Sequence, residues 1–123
     1  MGDLGMKAAV TLALSVKDRK AAAAWYVDKL GFELLFDVDE IGFCELQTSV
    51  PGVTLGLADR DEIQAGGFVP TFDIEDLDSA RARLEGLGVE FDGPSFGHEG
   101  FVKLAAFKDL DGHTLMLAED LRE

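Results

Sequence analysis

The chain has 123 residues, of which 47% are hydrophobic and nine are Phe, and its formal net charge is −13 at pH 7. This length and composition suit one globular domain with a sizeable core and exclude an intrinsically disordered chain. With 24 acidic and 11 basic residues, the chain has no basic stripe to offset phosphate repulsion, so nucleic acid is excluded as a partner. The acidity favours either plain solubility or the attraction of a cationic small molecule.

The first half of the chain predicts a strand, a helix and three further strands. The segment from Val10 to Val16 alternates with a period of two, as a half-buried strand does. Asp18 is the expected N-cap of a helix that ends just before Gly31. Strands are predicted at 32–38, 42–47 and 53–58, separated by short polar turns.

The second half of the chain predicts the same order of elements. A strand at 68–74 precedes a helix from about Leu77 to Leu87, whose N-cap is Asp76 or Asp78. Strands near 89–92, 100–107 and 113–119 follow. Such self-similarity over half the chain predicts two copies of one supersecondary unit that share a core. We therefore predict a single α+β domain over residues 1–123, built from βαβββ repeats at about 8–59 and 67–119 that form a curved mixed sheet.

Alternation along the strands assigns two faces to this sheet. The large apolar side chains on one face are expected to pack under the helices; they are Leu12, Leu14, Val16, Leu55, Leu57, Phe72, Ile74, Leu115 and Leu117. The opposite face is mostly small or hydroxylated, and comprises Thr11, Ala13, Ser15, Thr54, Gly56, Ala58, Val69, Thr71, Asp73, Thr114, Met116 and Ala118. Because a core-filling face would be bulkier, the second face predicts a cleft between the repeats and is the best candidate for a site.

Cysteine content and apolar segments predict the location of the chain. Cys44 is the single cysteine, so no internal disulfide can form, and nothing indicates an oxidising compartment. The apolar segment 8–16 is interrupted by charged residues well short of the roughly 20 residues of a membrane helix, and it lacks the features of a secretory signal. We therefore predict a cytoplasmic protein that has no membrane partner.

The repeat and its local motifs resemble the vicinal oxygen chelate superfamily. The motifs that carry the resemblance are Trp25-Tyr26, Leu30-Gly31-Phe32 and the segment from Phe107 to His113 before the last strand. That superfamily includes glyoxalase I, bleomycin-resistance proteins, fosfomycin-resistance enzymes and extradiol dioxygenases. The resemblance implies the fold over essentially the whole chain, whereas the superfamily spans many chemistries.

The resemblance also implies where a metal would be held. Enzymes of the superfamily bind a divalent metal through His or Glu on the first and last strands of each repeat. Those positions fall here on Thr11, Gly56, Val69 and Met116, none of which is a usual ligand of such a metal. A shift by one residue places only Leu or Pro there. We therefore predict no metal and no cofactor.

The candidate binding residues come from the small-residue face and the segments beside it. We predict a ligand site that includes Thr11, Phe43, Glu45, Gly56, Thr71, Asp73, His98, Phe101, Lys103 and Met116. Phe107 is a further candidate for an aromatic wall. Glu45 and Lys103 occupy matching positions in the repeats and point either into the cleft or to solvent. Asp73 is a possible ligand anchor or general base, but the catalytic residues stay unknown.

Other chemically notable residues favour structural roles. Cys44 is expected to be a small buried side chain on the helix side of the sheet. His113 is expected to support a turn. His98 lies in a glycine-flanked loop, predicted to be a hairpin, that either stays in solvent or folds over the cleft. Of Trp25 and Tyr26 on the first helix, one is expected to pack against the sheet, and the other to face the surface or a neighbouring subunit.

These observations favour a metal-free small-molecule binding protein that binds or sequesters an aromatic or amphipathic ligand with a polar or cationic end. The alternative is a lyase, isomerase or dioxygenase-like enzyme of the same superfamily with an atypical site. A homodimer is expected, because exposed strand edges favour pairing and relatives of this fold commonly pair.

Overall fold

The computed structural model describes residues 4–122 and divides the chain into two compact units, with the boundary between Gln64 and Ala65. The first unit comprises β1 (Val10–Val16), α1 (Arg19–Leu30), β2 (Glu33–Val38), a short 3-10 helix (Asp39–Ile41), β3 (Phe43–Gln47) and β4 (Val53–Asp59). The second comprises β5 (Thr71–Asp73), α2 (Leu77–Gly86), β6 (Phe96–His98), β7 (Val102–Lys108) and β8 (Thr114–Asp120). Each unit has the order βαβββ, which confirms the predicted α+β class.

The sheet of the first unit has the strand order β1-β4-β3-β2. Strands β1 and β4 run parallel, and their register pairs Val10 with Val53 and Val16 with Asp59. The other two pairings are antiparallel, and a bulge lies between Leu34 and Phe36 on β2. The parallel pair requires a crossover connection, and α1 with β2 and β3 provides it.

Helix α1 begins and ends at the predicted caps. The Asp18 carboxylate accepts hydrogen bonds from two backbone N–H groups of the first turn, at 3.0 and 3.3 Å. Gly31 follows the last turn with a φ of 73°, in the left-handed region that glycine adopts without strain. Both signals are local in the chain, which is why they could be read without the fold.

The core of the first unit lies between α1 and one face of the sheet. Tyr26 is fully buried there and stacks on Phe32 with 5.8 Å between ring centroids. Leu46, Leu55 and Leu57 are equally buried beneath the helix. Tyr26 is therefore the member of the Trp25–Tyr26 pair that faces the sheet, as the sequence predicted for one of the two residues.

The second unit repeats this arrangement with the strand order β5-β8-β7-β6. Asp76 caps α2 by accepting the N–H of Ser79 at 3.1 Å, which decides between the two caps that the sequence allowed. Leu77 and Leu84 of α2 are buried, as are Leu115 and Leu117 of β8, Ala105 and Phe107 of β7, and Val89. His113 is also buried, and its N–H donates to Asp109 at 2.8 Å, which confirms its predicted role in a turn.

In the second unit, one predicted strand was too long and another was wrong. Strand β5 is limited to Thr71–Asp73, because Pro70 has no N–H with which to extend the ladder. Residues 89–92 make only an isolated bridge, between Phe91 and Phe107. The strand that pairs with β7 is instead β6, and the two strands form the hairpin that the sequence predicted around His98. Gly93, with a φ of 85°, and Pro94 lie between residues 89–92 and β6 and prevent one continuous strand from forming there.

Across residues 4–122, no helix combines the length and the apolar character needed to cross a membrane.

Candidate functional site

Each sheet has one face under its helix and one face that its helix does not cover, which we call the open face. The first open face is formed by Thr11, Ala13, Ser15, Thr54, Gly56, Ala58, Phe43, Glu45 and Phe36, as the strand register requires. The second open face is formed by Thr71, Asp73, Met116, Ala118, Asp120, Val102, Leu104 and Ala106. The predicted small-residue surface is therefore present in each unit, and its members lie side by side across neighbouring strands.

An aromatic ring lies over the glycine of the first open face. A Cβ atom added to Gly56 would stand 2.8 Å from Cζ and 2.9 Å from Cε1 of Phe43. It would also lie 3.3 Å from the methyl group of Thr11. The space above Gly56 is therefore filled by Phe43. A neighbouring strand therefore supplies bulk directly above the small residue at this position.

The ring of Phe43 is part of an exposed aromatic surface. Its centroid lies 6.1 Å from that of Phe36 on β2, and Phe36 is 45% exposed. The two ring planes are inclined at 42° to each other, so together they present an angled apolar wall on which a planar ligand can stack against one ring. The bulge on β2 brings Phe36 to this face, since it shifts the register so that Phe36 pairs with Glu45.

Polar groups border this aromatic wall. The hydroxyl groups of Thr11 and Thr54 form a hydrogen bond of 2.7 Å across the β1–β4 pair. Glu45 is half-buried in the same cross-strand row as Gly56. Within residues 4–122 its carboxylate has neither an ion pair nor a hydrogen bond. The first open face thus combines aromatic carbon, hydroxyl groups and one uncompensated negative charge.

The second open face contains a half-open cavity of about 190 Å³. Its lining residues are Asp73, Phe101, Val102, Ala118, Asp120 and Arg122. They meet because β5 and β8 end beside the start of β7, where Asp73 pairs with Ala118 and Val102 pairs with Asp120. Asp73 and Phe101 were predicted as site residues, and the structure brings them to one cavity.

One ion pair dominates the electrostatics of this cavity. The Arg122 guanidinium donates to both carboxylate oxygens of Asp120, each at 2.9 Å. This contact lowers the pKa of Asp120 to about 2 and raises the pKa of Arg122. The same guanidinium lies over the Phe101 ring, 5.0 Å from its centroid. Asp73, by contrast, is exposed and has no ion pair among the described residues.

Three other predicted residues lie on or beside the second open face. Thr71 is exposed, and its hydroxyl donates to the Val69 carbonyl at 3.0 Å. Met116 is half-buried beside Thr71 in the β5–β8 register. His98 lies on the edge strand β6, in the same cross-strand row as Val102 and Asp120. It is exposed and belongs to the β6–β7 hairpin, as the sequence predicted for the alternative in which this segment stays in solvent.

Lys103 does not lie on an open face. Its ammonium group pairs with Asp78 of α2 at 3.1 Å, and this contact raises the pKa of the lysine. Its neighbour across the ladder, Glu119, also faces α2 and accepts the N–H of Leu77 at 2.7 Å. The sequence match between Glu45 and Lys103 placed them on the same face. The observed register separates them, because a slip of one residue reverses the side of a strand side chain.

Phe107 and Cys44 lie on the faces of their sheets that are covered by a helix. Phe107 is 1% exposed and packs against Phe91 with 5.2 Å between ring centroids, so its predicted place in an aromatic wall was wrong. Cys44 is buried, as predicted, and burial raises the pKa of its thiol. A thiol in this state is a packing group and a poor nucleophile.

The sequence analysis did not find a cluster of charges at the start of α1. The Arg19 side chain is only 8% exposed and contacts Asp37 at 2.6 Å, Asp59 at 2.7 Å and Asp39. Hydrogen bonds from Arg19 lower the pKa of Asp37, and the Arg19 backbone N–H does most to lower that of Asp59. One signal was present: a basic residue in a first helical turn opposes the helix dipole and needs compensation.

The four metal positions implied by the family resemblance do not fit a divalent metal. Thr11 presents a hydroxyl that already bonds Thr54, and the place of a Gly56 side chain is taken by Phe43. Val69 is an alkyl side chain that precedes β5, and Met116 is a thioether. Within residues 4–122, no three His, Cys, Asp or Glu side chains converge as metal ligands.

The two βαβββ units define the fold class, and comparison of the sequence with protein families gives the family. The model of the Glyoxalase/Bleomycin resistance protein/Dioxygenase superfamily matches residues 8–117. The chain therefore belongs to this superfamily, which confirms the resemblance seen in its motifs. No curated protein matches the sequence significantly.

Solved structures share this fold at low sequence identity. A superfamily member from Sphaerobacter thermophilus DSM 20745 is 23% identical with a TM-score of 0.79, and the match covers 95% of this chain and 100% of that one. TnmS3, an antibiotic binding protein from Streptomyces sp. CB03234, is 24% identical with a TM-score of 0.78, covering 96% and 99%. The fosfomycin resistance protein FosX from Listeria monocytogenes is 19% identical with a TM-score of 0.76, covering 99% and 94%.

Proposed function

We propose that this protein binds a small aromatic or amphipathic molecule with a cationic end, without a metal. The observation that carries the proposal is the first open face, where Phe43 and Phe36 form an exposed aromatic surface beside the Thr11–Thr54 hydroxyl pair. Aromatic surface with a few oriented polar groups is the usual composition of small-molecule sites. Metal-free binding is supported by the side chains at Thr11, Gly56, Val69 and Met116, which lack suitable donors.

Charge supports a cationic rather than an anionic ligand. Glu45 on the first open face and Asp73 on the second each carry a carboxylate with no cationic partner among the described residues. The net charge of −13 adds a long-range attraction for cations. An anionic ligand would meet repulsion at both faces.

Size indicates how much of a ligand each feature can hold. The cavity of about 190 Å³ is smaller than the roughly 300 Å³ at which drug-sized ligand sites begin. It suits one substituent of a ligand, whereas the aromatic wall suits a flat ring system. The antibiotic-binding description of TnmS3 belongs to that protein, and it supports a binding role on this fold.

A pair of planar probes of opposite charge tests the proposal. We expect 9-aminoacridine, a cation at neutral pH, to bind in isothermal titration, and anthracene-9-carboxylate to bind at least about tenfold more weakly. Thr11→Trp places bulk beside Phe43 and should abolish 9-aminoacridine binding. Ala24→Trp adds the same bulk on the exposed side of α1 and is the matched control. Equal affinity for both probes, or full binding by the Thr11 variant, would contradict the proposal.

We further propose that the protein is a homodimer and acts in the cytoplasm. Strand β2 is an edge strand that presents Leu34 and Leu35 at 47% and 46% exposure, and the adjoining Ile41 is 67% exposed. An edge with exposed apolar side chains favours symmetric pairing, which also protects it from less specific association. The cytoplasmic location stays a prediction from the single cysteine.

A further inference from the structure

The cavity of the second unit has the composition of a site for an organic cation. Phe101 supplies an aromatic face, and Asp73 and Asp120 supply two carboxylates around the same space of about 190 Å³. Proteins recognise ammonium and guanidinium groups through this combination of ring face and negative charge. Of the three remaining lining residues, Val102 and Ala118 are apolar and Arg122 is a cation, so the carboxylates are the groups that attract a positive charge.

A cation of the protein itself already occupies part of this site. The Arg122 guanidinium makes two hydrogen bonds to Asp120, at 2.9 Å each, and lies 5.0 Å from the centre of the Phe101 ring. These contacts of Arg122 show which chemical group the cavity accommodates, namely a guanidinium group between a carboxylate and an aromatic ring. Asp73 lies on the same cavity and receives no hydrogen bond from this guanidinium, so one carboxylate is left for a second cation.

The contacts that hold Arg122 are weak enough to be exchanged. The Arg122 and Asp120 side chains are 62% and 58% exposed, and the residues are only two positions apart in the chain. An exposed ion pair of this kind contributes little to stability because water screens it. A competing cation can therefore displace Arg122 without disturbing the fold.

We propose that this cavity is a binding subsite for a guanidinium or amidinium group, with Arg122 as an internal competitor. The incoming group contacts the Phe101 ring and binds Asp73 and Asp120, while Arg122 moves into solvent. A planar group is selected because it can stack on the ring and present its N–H donors to both carboxylates. The inference rests on the proposed ligand-binding function and names the class of substituent that the second open face takes.

The test uses benzamidine, which is a cation at neutral pH, and benzamide, its neutral isostere. In ¹H–¹⁵N correlation spectra, benzamidine should shift the backbone amide signals of Asp73, Val102 and Asp120, and benzamide at the same concentration should not. Arg122→Ala should tighten benzamidine binding about fivefold, because the competitor is gone and Asp120 is released. Asp73→Asn and Phe101→Leu should each weaken it about threefold or more.

A matched control separates this mechanism from a general effect of charge. Arg83→Ala removes the same charge from the exposed side of α2 and should leave the benzamidine dissociation constant within about twofold. The proposal is overturned if benzamide shifts the same signals as strongly, if Arg122→Ala weakens binding, or if Asp73→Asn has no effect. Because 9-aminoacridine and Thr11→Trp test the other unit, the subsite and the proposed function can fail separately.

Discussion

At the scale of single residues, the contact between Phe43 and Gly56 shows how one ring determines which residue fits beneath it. A methyl group at position 56 would lie 2.8 Å from the ring, a distance that real packing does not tolerate. The half-exposed ring of Phe43 would have to shift to make room for that methyl group. The position of the Phe43 ring is enough to explain why residue 56 is glycine, and no special backbone conformation is needed.

We expect Gly56→Ala to lower the free energy of unfolding by about 1–3 kcal/mol, as overpacking of this size usually does. Chemical denaturation measures the loss. Gly86→Ala is the control, because a Cβ there meets nothing within 4 Å. In a Phe43→Leu background the effect of Gly56→Ala should largely disappear, and a loss that persists there would show that the ring is not the cause.

Residue identities on the open faces could be predicted from alternation, and their contacts could not. Thr11, Gly56, Thr71, Asp73 and Met116 all lie where the period of two places them. The cavity pair of Asp120 and Arg122 was missed because both residues lie at or beyond the end of a strand. There, periodicity no longer constrains the direction of a side chain.

At the scale of elements, the Arg19 cluster joins the start of α1 to the sheet. The guanidinium contacts carboxylates on β2, in the 3-10 helix and on β4, so three separate segments share one cation. Removal of that cation would leave Asp37, Asp39 and Asp59 close together with only the exposed Lys20 ammonium, 3.5 Å from Asp37 and Asp39, to offset their charge. The cluster therefore fixes the start of α1 against the sheet more strongly than a single ion pair would.

We expect Arg19→Met to lower the urea midpoint of unfolding at pH 7. The pKa values of Asp37 and Asp59 are lowered from 3.8 in the folded protein. Their contribution to stability is therefore present above pH 3.8 and is lost as the pH falls through the folded-state values. The difference between wild type and variant should be largest near pH 7 and should shrink below pH 3.8.

Lys20→Met is the control for this prediction. Lys20 is the next residue and carries the same charge, but it is 65% exposed and lies 3.5 Å from the Asp37 and Asp39 carboxylates. We expect a clearly smaller change of the midpoint, because exposed ion pairs contribute little. Equal losses from the two variants, or an Arg19 effect that does not depend on pH, would contradict the assigned role.

At the scale of the whole molecule, the proposed homodimer can be tested by measuring the mass of the protein in solution. We expect light scattering at micromolar concentration to give a mass of about twice the 13.3 kDa of the chain. Leu35→Glu on the edge strand β2 should shift the mass to that of a monomer, and Leu110→Glu, at an apolar position that is 56% rather than 46% exposed, should not. A mass of 13.3 kDa for the wild type at every concentration would contradict the dimer.

We also propose that both units belong to one domain, which a single calorimetric unfolding transition would support.

The sequence by itself determined the repeat, the order of elements, the caps of α1 and the face of most strand residues. These features depend on chemistry within a few neighbouring residues: a period of two, a carboxylate before a helix, or a glycine after one. They led to the correct superfamily and to a small-residue surface as the candidate site.

Only the tertiary structure determined which residues are neighbours across adjacent strands. Register put Lys103 against α2 and Phe107 into the core, laid Phe43 over Gly56, and brought Asp73 together with Phe101 and Arg122. Residues far apart in the chain meet in each case, and a shift of one residue in strand pairing would reverse the side of every partner. The composition of a face is therefore local information, whereas the cavities and ion pairs on it depend on pairing that no short segment of sequence contains.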